Sequence, residues 1–228
     1  MRASGILLPV SSLPGKYGIG SFSEEAYKFV DFLKDSKQQY WQILPIGPTS
    51  YGDSPYQSFS TYAGNPYFIS LEELIEQGLL TEKECDKVDF GDKIDKVDYE
   101  KLYNGRFKLL KKAYKRSNIR EREEFKKFKD ENQYWLNDYA MFMAIKERFK
   151  GQSFDNWAED IKLRWGYSME YYQNELKEEI EFYEFVQYEF YRQWYKLKKY
   201  ANDNGVKIIG DIPIYVAYDS ADVWSHPE

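Results

Sequence analysis

The chain is poor in the residues that build metal centres and covalent cross-links. Its 228 residues include one cysteine, Cys85, and one histidine, His226. A single thiol cannot close an internal disulfide, so a reducing, cytoplasmic compartment is expected. One imidazole and one thiol leave no zinc ligand set, and no motif implies a metal or organic cofactor. No run of about 18 apolar residues is present, which excludes a helical membrane span. Residues 1–9 hold only a short apolar stretch broken by proline, a poor secretory signal. Basic clusters are missing too: 32 Lys and Arg face 38 Asp and Glu, a net charge of −6, whereas binding to phosphate backbones needs the opposite imbalance. A phosphate loop, a dinucleotide fingerprint and a serine-nucleophile elbow are all absent. Neither nucleic acid nor membrane is an expected partner.

Proline is scarce in one region. All eight copies lie at or before Pro66 or at and after Pro213. Proline removes a backbone donor and blocks helix interiors, so the long proline-free middle can be helical. Before it, Ile6, Leu7, Leu8 and Val10 predict a buried strand. Ser23 is a candidate N-cap, with Glu24 and Glu25 suiting the helix dipole. Tyr27, Phe29, Val30, Phe32 and Leu33 give the apolar stripe of a helix ending near Ser36. Residues 40–46 predict a second buried strand, and strand–helix–strand implies a parallel pair with a right-handed crossover.

In the middle, Ser70 to Glu73 and Thr81 to Glu84 match the capping box. Gly78 stands where a helix ending at Gln77 needs a left-handed residue. Trp135, Tyr139, Phe142 and Phe149 repeat at helical intervals, as do Ile180, Tyr183, Val186, Phe190, Trp194 and Leu197; both stripes read as core. The stretch 108–130, alternating in charge, reads as a solvated helix surface. After a turn cluster at 201–205, residues 206–216 predict a third buried strand running into a loop. Three such strands cannot close a barrel. The architecture reads as cut short, with open sheet edges that invite association.

Aromatic residues are abundant: 22 Tyr, 15 Phe and 6 Trp, or 19% of the chain. Most are expected in the core. In α/β folds ligands bind at the carboxyl ends of strands, which directs attention to two segments. Residues 47–66 form a long loop without evident secondary structure, and such loops are usually functional or disordered; this one is too aromatic for disorder. Its tyrosines can stack on the C–H face of a sugar while hydroxyl and amide groups bond the sugar hydroxyls. An Ω-loop packed on its own tyrosines fits the same composition. The second segment holds Asp211. A carboxylate ending a buried strand is costly unless paired or used, although a loop-capping aspartate fits equally. Asp219, Asp222 and Trp224 fit a turn and a helix start.

Ordered blocks along the chain carry a resemblance. Residues 4–14 (SGILLPVSSLP) with Tyr17, Gly18, Ile19 and Gly20 resemble the opening of the 4-α-glucanotransferases, the amylomaltases or disproportionating enzymes of the α-amylase superfamily. So do residues 41–45 (WQILP), 52–58 (GDSPYQS), 63–66 (AGNP), 210–217 (GDIPIYVA) and 222–228 (DVWSHPE), in the family's order.

The resemblance implies an α/β fold: an incomplete (β/α)8 TIM barrel with a large helical insertion between strands 2 and 3. Residues 1–69 would supply the first two strand–helix units with the active-site loop, 70–204 the insertion, and 205–228 the third strand and its following loop. A barrel of this type takes about 250 residues even without insertions. The implied activity moves α-1,4-glucan segments between malto-oligosaccharides by a retaining double displacement, using a nucleophilic carboxylate and an acid/base carboxyl about 5–5.5 Å apart. Those carboxylates belong to family motifs on later strands, so no catalytic role is assigned here, and the chain alone is expected to be inactive. Substrate-binding roles pass only to matching positions. Tyr56 is similar to the tyrosine that stacks beside the cleavage point, Asp211 to the aspartate ending the third strand, and Ser54 lines the same wall. Tyr51 is similar to a tyrosine of a secondary glucan site in some members. A non-catalytic glucan-binding or interaction module and an α-glucan hydrolase of the same superfamily are the alternatives.

Overall fold

The computed structural model describes residues 2–50, 52–93 and 95–227. In chain order its elements are β1 (Gly5–Leu7), α1 (Glu24–Asp35), β2 (Tyr40–Gln42), α2 (Leu71–Glu76), α3 (Glu82–Asp86), α4 (Tyr99–Arg116), α5 (Glu123–Arg148), α6 (Glu159–Lys162), α7 (Gly166–Glu175), α8 (Lys177–Asp203), β3 (Lys207–Ile209) and α9 (Ala221–Ser225), with four single-turn 3-10 segments between them. The strands form one parallel sheet in the order β1-β2-β3. Ile6, Trp41 and Ile208 share one row across it. The three segments singled out from sequence therefore meet side by side.

Their burial differs from expectation. The apolar runs predict strands covered on both faces, yet β1 and β3 are covered on one. Side chains alternate along a strand. Ile6, Trp41 and Ile208 turn toward α1, where Phe29 meets the Trp41 ring edge-on at 5.1 Å. Trp41 is fully buried, and its indole N–H donates to the Leu8 carbonyl at 2.8 Å. On the opposite face Leu7 is 54% and Ile209 43% exposed, because no layer covers them among the described residues.

Local signals hold better. Gly78 takes φ +74° behind α2, as a left-handed C-terminal residue should. Thr81 and Glu84 make the complete capping box. Glu84 also grips Arg116 through two contacts at 2.8 Å, and that guanidinium, followed by the Thr81 bonds, draws its carboxyl down to about 2. The Ser70 box closes only by half. Its hydroxyl accepts from Glu73 N at 3.1 Å, but the Glu73 carboxylate turns to Arg192 and Lys196. Gln193 takes its place, accepting from Ser70 N at 2.7 Å. The charged stretch 108–130 is not one solvated surface. It breaks at Asn118, φ +46°, into two helices that bury Leu109, Leu110, Ala113, Phe125 and Phe128.

Two compact units make up the chain. The first comprises Met1–Ile46, Asn65–Asn118 and Glu189–Ile212, the second Gly47–Gly64, Ile119–Tyr188 and Pro213–Glu228. In the first, Phe22 packs on Phe68, Phe190 and Trp194 at 5.3–6.0 Å between ring centroids. Arg106 is buried there too, donating to the carbonyls of Tyr17 and Ile69. Loss of solvent lowers its pKa to about 10.

In the second unit α5 supplies Leu136, Tyr139, Ala140 and Phe142, and Phe142 meets Trp157 and Trp224. Glu184 is buried against Lys129 at 2.6 Å. Burial outweighs that lysine and raises its carboxyl above the usual glutamate range. A raised acid pKa means that folding favours the neutral form, so stability is lost as pH rises through the folded-state value. Glu184→Gln should therefore be more stable than wild type at pH 7. In urea titrations the gain should vanish below the ordinary glutamate range; a pH-independent effect would contradict this.

Candidate functional site

The loop expected at 47–66 is held by its own short side chains. Thr49 and Ser58 pair as an isolated antiparallel bridge, and the turn between them is closed by Ser50 N to the Gln57 carbonyl at 3.0 Å and Gln57 N to the Ser54 carbonyl at 3.1 Å. Ser58 Oγ donates to the Ser60 carbonyl at 2.7 Å, and Ser60 Oγ accepts from Tyr62 N and Ala63 N at 3.2 Å. Gly47 lies so close to Ser58 that a Cβ would meet its hydroxyl at 2.9 Å. Asp53 follows Gly52 in the left-handed region, and burial raises its carboxyl pKa against the opposing Thr49 hydroxyl. This framework leaves Tyr56 46% exposed, its N–H donating to Ser54 Oγ at 3.3 Å.

The segment after β3 is stitched to this loop within the second unit. Ala217 N donates to the Ser58 carbonyl at 3.2 Å and Ala221 N to the Phe59 carbonyl at 2.8 Å. Thr61 N donates to Asp222 Oδ2 at 3.0 Å. Asp219 receives the Lys146 ammonium and Phe154 N, while Lys146 also lies 5.2 Å from the Phe59 ring centre. The loop's far end is fixed by Gln187: Gly64 N donates to Oε1 at 2.7 Å, and Nε2 donates to the Gly64 carbonyl at 3.0 Å. Both segments present tyrosines to solvent, with Tyr62 47%, Tyr215 80% and Tyr218 62% exposed. Flat faces with hydroxyl tips above a hydrogen-bonded frame suit a neutral polyhydroxy ligand.

Of the residues predicted from sequence, Ser54 and Tyr56 stand together. Asp211 belongs to the first unit and is exposed, its Oδ1 accepting from Ile212 N at 2.8 Å. The argument from burial cost therefore fails for it, since β3 is open on one face. Tyr51 lies outside the described residues. Asp219 and Asp222, read as turn and helix-start residues, bind Lys146 and Thr61, and Ser220 caps α9. Lys146 and Gln187 were invisible in the sequence: each is an ordinary polar residue on a helix, and only its buried position distinguishes it. Among the described residues no group of three or more His, Cys, Asp or Glu could hold a metal ion, and no helix is long and apolar enough to cross a membrane. The first unit also holds an open cleft of about 1240 Å³, with Ser11, Lys16, Tyr27, Glu73, Phe90 and Lys196 among its walls. Ser54, Tyr56 and Asp211 are not among its walls.

Comparison with known proteins bears on this arrangement. The profile of the 4-alpha-glucanotransferase family matches residues 8–228. A 4-alpha-glucanotransferase of Clostridium butyricum is 52% identical over 219 residues, 96% of this chain and 45% of that protein. One from Thermus thermophilus is 45% identical over 231 residues, 100% of this chain and 45% of that protein. The solved amylomaltase from Streptococcus agalactiae in complex with acarbose superposes with a TM-score of 0.95 at 44% identity, covering 100% of this chain and 46% of that one. The chain thus spans about half the length of the curated relatives it matches. On the extent of the family match, the chain belongs to the 4-alpha-glucanotransferase family.

Proposed function

We propose that this chain forms the first three strands of an incomplete (β/α)8 barrel, with residues 70–204 inserted between strands 2 and 3, and that it supplies the sugar-binding wall of a cytoplasmic 4-α-glucanotransferase. The whole protein's activity would be transfer of α-1,4-glucan segments between malto-oligosaccharides with retention. In that reaction a carboxylate displaces the glycosidic oxygen as a second carboxyl protonates it, and the acceptor's hydroxyl then displaces the carboxylate. No residue of this chain is given either role. The observation that carries the reading is the match, over the full chain, to an amylomaltase solved in complex with acarbose.

Within it, Tyr56 stacks on the apolar face of a glucosyl ring, Ser54 lines the same wall, and Asp211 accepts hydrogen bonds from sugar hydroxyls. Tyr51 is placed at a secondary glucan contact. The open sheet face at Leu7 and Ile209 supports the barrel reading, since a closed barrel fills its interior with side chains from all its strands.

In a full-length enzyme carrying this sequence, Tyr56→Ala and Asp211→Asn should each cut maltotriose disproportionation by about tenfold or more, the effect of losing roughly 1.4 kcal/mol of binding. Unfolding midpoints should stay near wild type, as both side chains are exposed. Full activity in either variant refutes that residue's role. Reducing ends rising with every bond cut would instead identify a hydrolase.

A further inference from the structure

The second unit carries another aromatic group, on the turn from α6 to α7. Leu163 is 55%, Trp165 44%, Tyr167 63% and Tyr171 57% exposed. None of them belongs to the 47–64 loop or to the segment after β3. Tyr167 and Tyr171, one helical turn apart, share a face of α7. The rings of Trp165 and Tyr167 lie 5.9 Å apart, inclined at 61°.

The turn is a rigid mount. Arg164 holds φ +57°, a left-handed geometry that costs a non-glycine residue about 1 kcal/mol or more. It is anchored by Asp138 at 2.6 Å and by the Trp224 ring, 4.3 Å from its guanidinium carbon. Trp165 N donates to the Asp160 carbonyl at 2.8 Å, and Ser168 N returns to the Trp165 carbonyl at 2.9 Å. The indole N–H groups of Trp41, Trp135, Trp157 and Trp224 all donate to protein acceptors. Trp165 has no such acceptor among the described residues, so its polar edge remains open beside the tyrosine hydroxyls.

We propose that Trp165, Tyr167 and Tyr171 form a surface platform for an α-1,4-glucan chain. The proposal rests on the glucan reading above and adds a holding site for longer chains. The axial linkage of an α-1,4-glucan curls the chain and inclines each sugar face to the next, which suits two inclined rings. A flat, β-linked chain presents coplanar faces instead. Over residues 159–175 the acids Glu159, Asp160, Glu170 and Glu175 outnumber Lys162 and Arg164, and both cations are paired, with Asp155 and Asp138. This disfavours an anionic ligand and leaves a neutral one unopposed.

The test is affinity electrophoresis of the 228-residue chain through gels containing soluble amylose. Wild type should be retarded, and the double variant Trp165→Ala/Tyr167→Ala should lose at least about tenfold in apparent affinity, as expected when two stacking faces are removed. Its urea midpoint should match wild type, and Trp165→Phe/Tyr167→Phe should recover part of the retardation. Tyr195→Ala, a similarly exposed tyrosine on α8 in the first unit, should remain retarded. Unchanged retardation of the double alanine variant overturns the platform. So does an equal loss of retardation in Tyr195→Ala, which would mean that exposed rings hold amylose without a defined platform, an outcome that leaves the proposed function standing. Equal retardation by a soluble β-1,4-glucan removes the linkage argument and overturns the proposal. Self-association abolished by the double variant, with no response to amylose, makes the patch a contact between copies and also overturns it. Maltotriose transfer by a full-length enzyme decides the proposed function separately, because that substrate is too short to need the platform.

Discussion

Replacing Lys146 with methionine is expected to cost about 3 kcal/mol of stability, the low end of the range for breaking a buried ion pair. The side chain is 6% exposed and its Asp219 partner 17%. The ammonium also donates to the Gln152 carbonyl at 3.2 Å and faces the rings of Phe59 and Phe142 at 5.2 and 5.6 Å. Methionine fills similar space and keeps the ring contacts, so the loss falls on Asp219. Its carboxylate would keep only Phe154 N at 3.1 Å. The double variant Lys146→Met/Asp219→Asn removes the stranded charge and should recover about half of the loss. Urea unfolding followed by tryptophan fluorescence measures both. A single-variant cost below about 1 kcal/mol would mean that the pair is solvated and does not fix the segment after β3.

Gln187→Leu is the second large effect, expected at about 2–4 kcal/mol. Gln187 is fully buried, and its amide pairs with both backbone groups of Gly64, which is also buried. Leucine would leave a donor and an acceptor unpaired, each costing about 1–3 kcal/mol. Gln187→Glu keeps the acceptor for Gly64 N but loses the donor and buries a charge, so it should not rescue. The matched control is Gln193→Leu in the first unit, where the amide pairs with Ser70 at 2.7 and 3.5 Å. Its longer second bond predicts a smaller loss. Amide exchange adds a local readout. Gly64 N–H should lose protection in Gln187→Leu while Ser70 N–H keeps it, and equal loss at both sites would mean global destabilisation only.

These two residues show where sequence reading stops. The strand segments, the helical middle, the Thr81 cap and the left-handed Gly78 depend on residues within a few positions of one another, and their signals are equally local. The aromatic loop at 47–66 was legible because its length and composition are unusual for a connection. Its serine framework was not, because any of its hydroxyls could have bonded solvent. The half-closed Ser70 box makes the same point: the local pattern predicted Glu73 as the reciprocal partner, but Arg192 and Lys196 drew the carboxylate away and Gln193 bonded the freed N–H.

By itself the sequence determined the segment types, their order and the ordered blocks that mark the family, since these follow from backbone propensity, periodicity and residue identity. Only the tertiary structure decided which polar side chains are withdrawn from water and what they meet there. It paired Lys146 with Asp219, Gln187 with Gly64 and Asp222 with Thr61, and it left Asp211, Tyr167 and Tyr171 exposed. The physical reason is that a polar group bonds equally well to water or to protein while exposed. The distinction arises only when packing between distant segments removes the water.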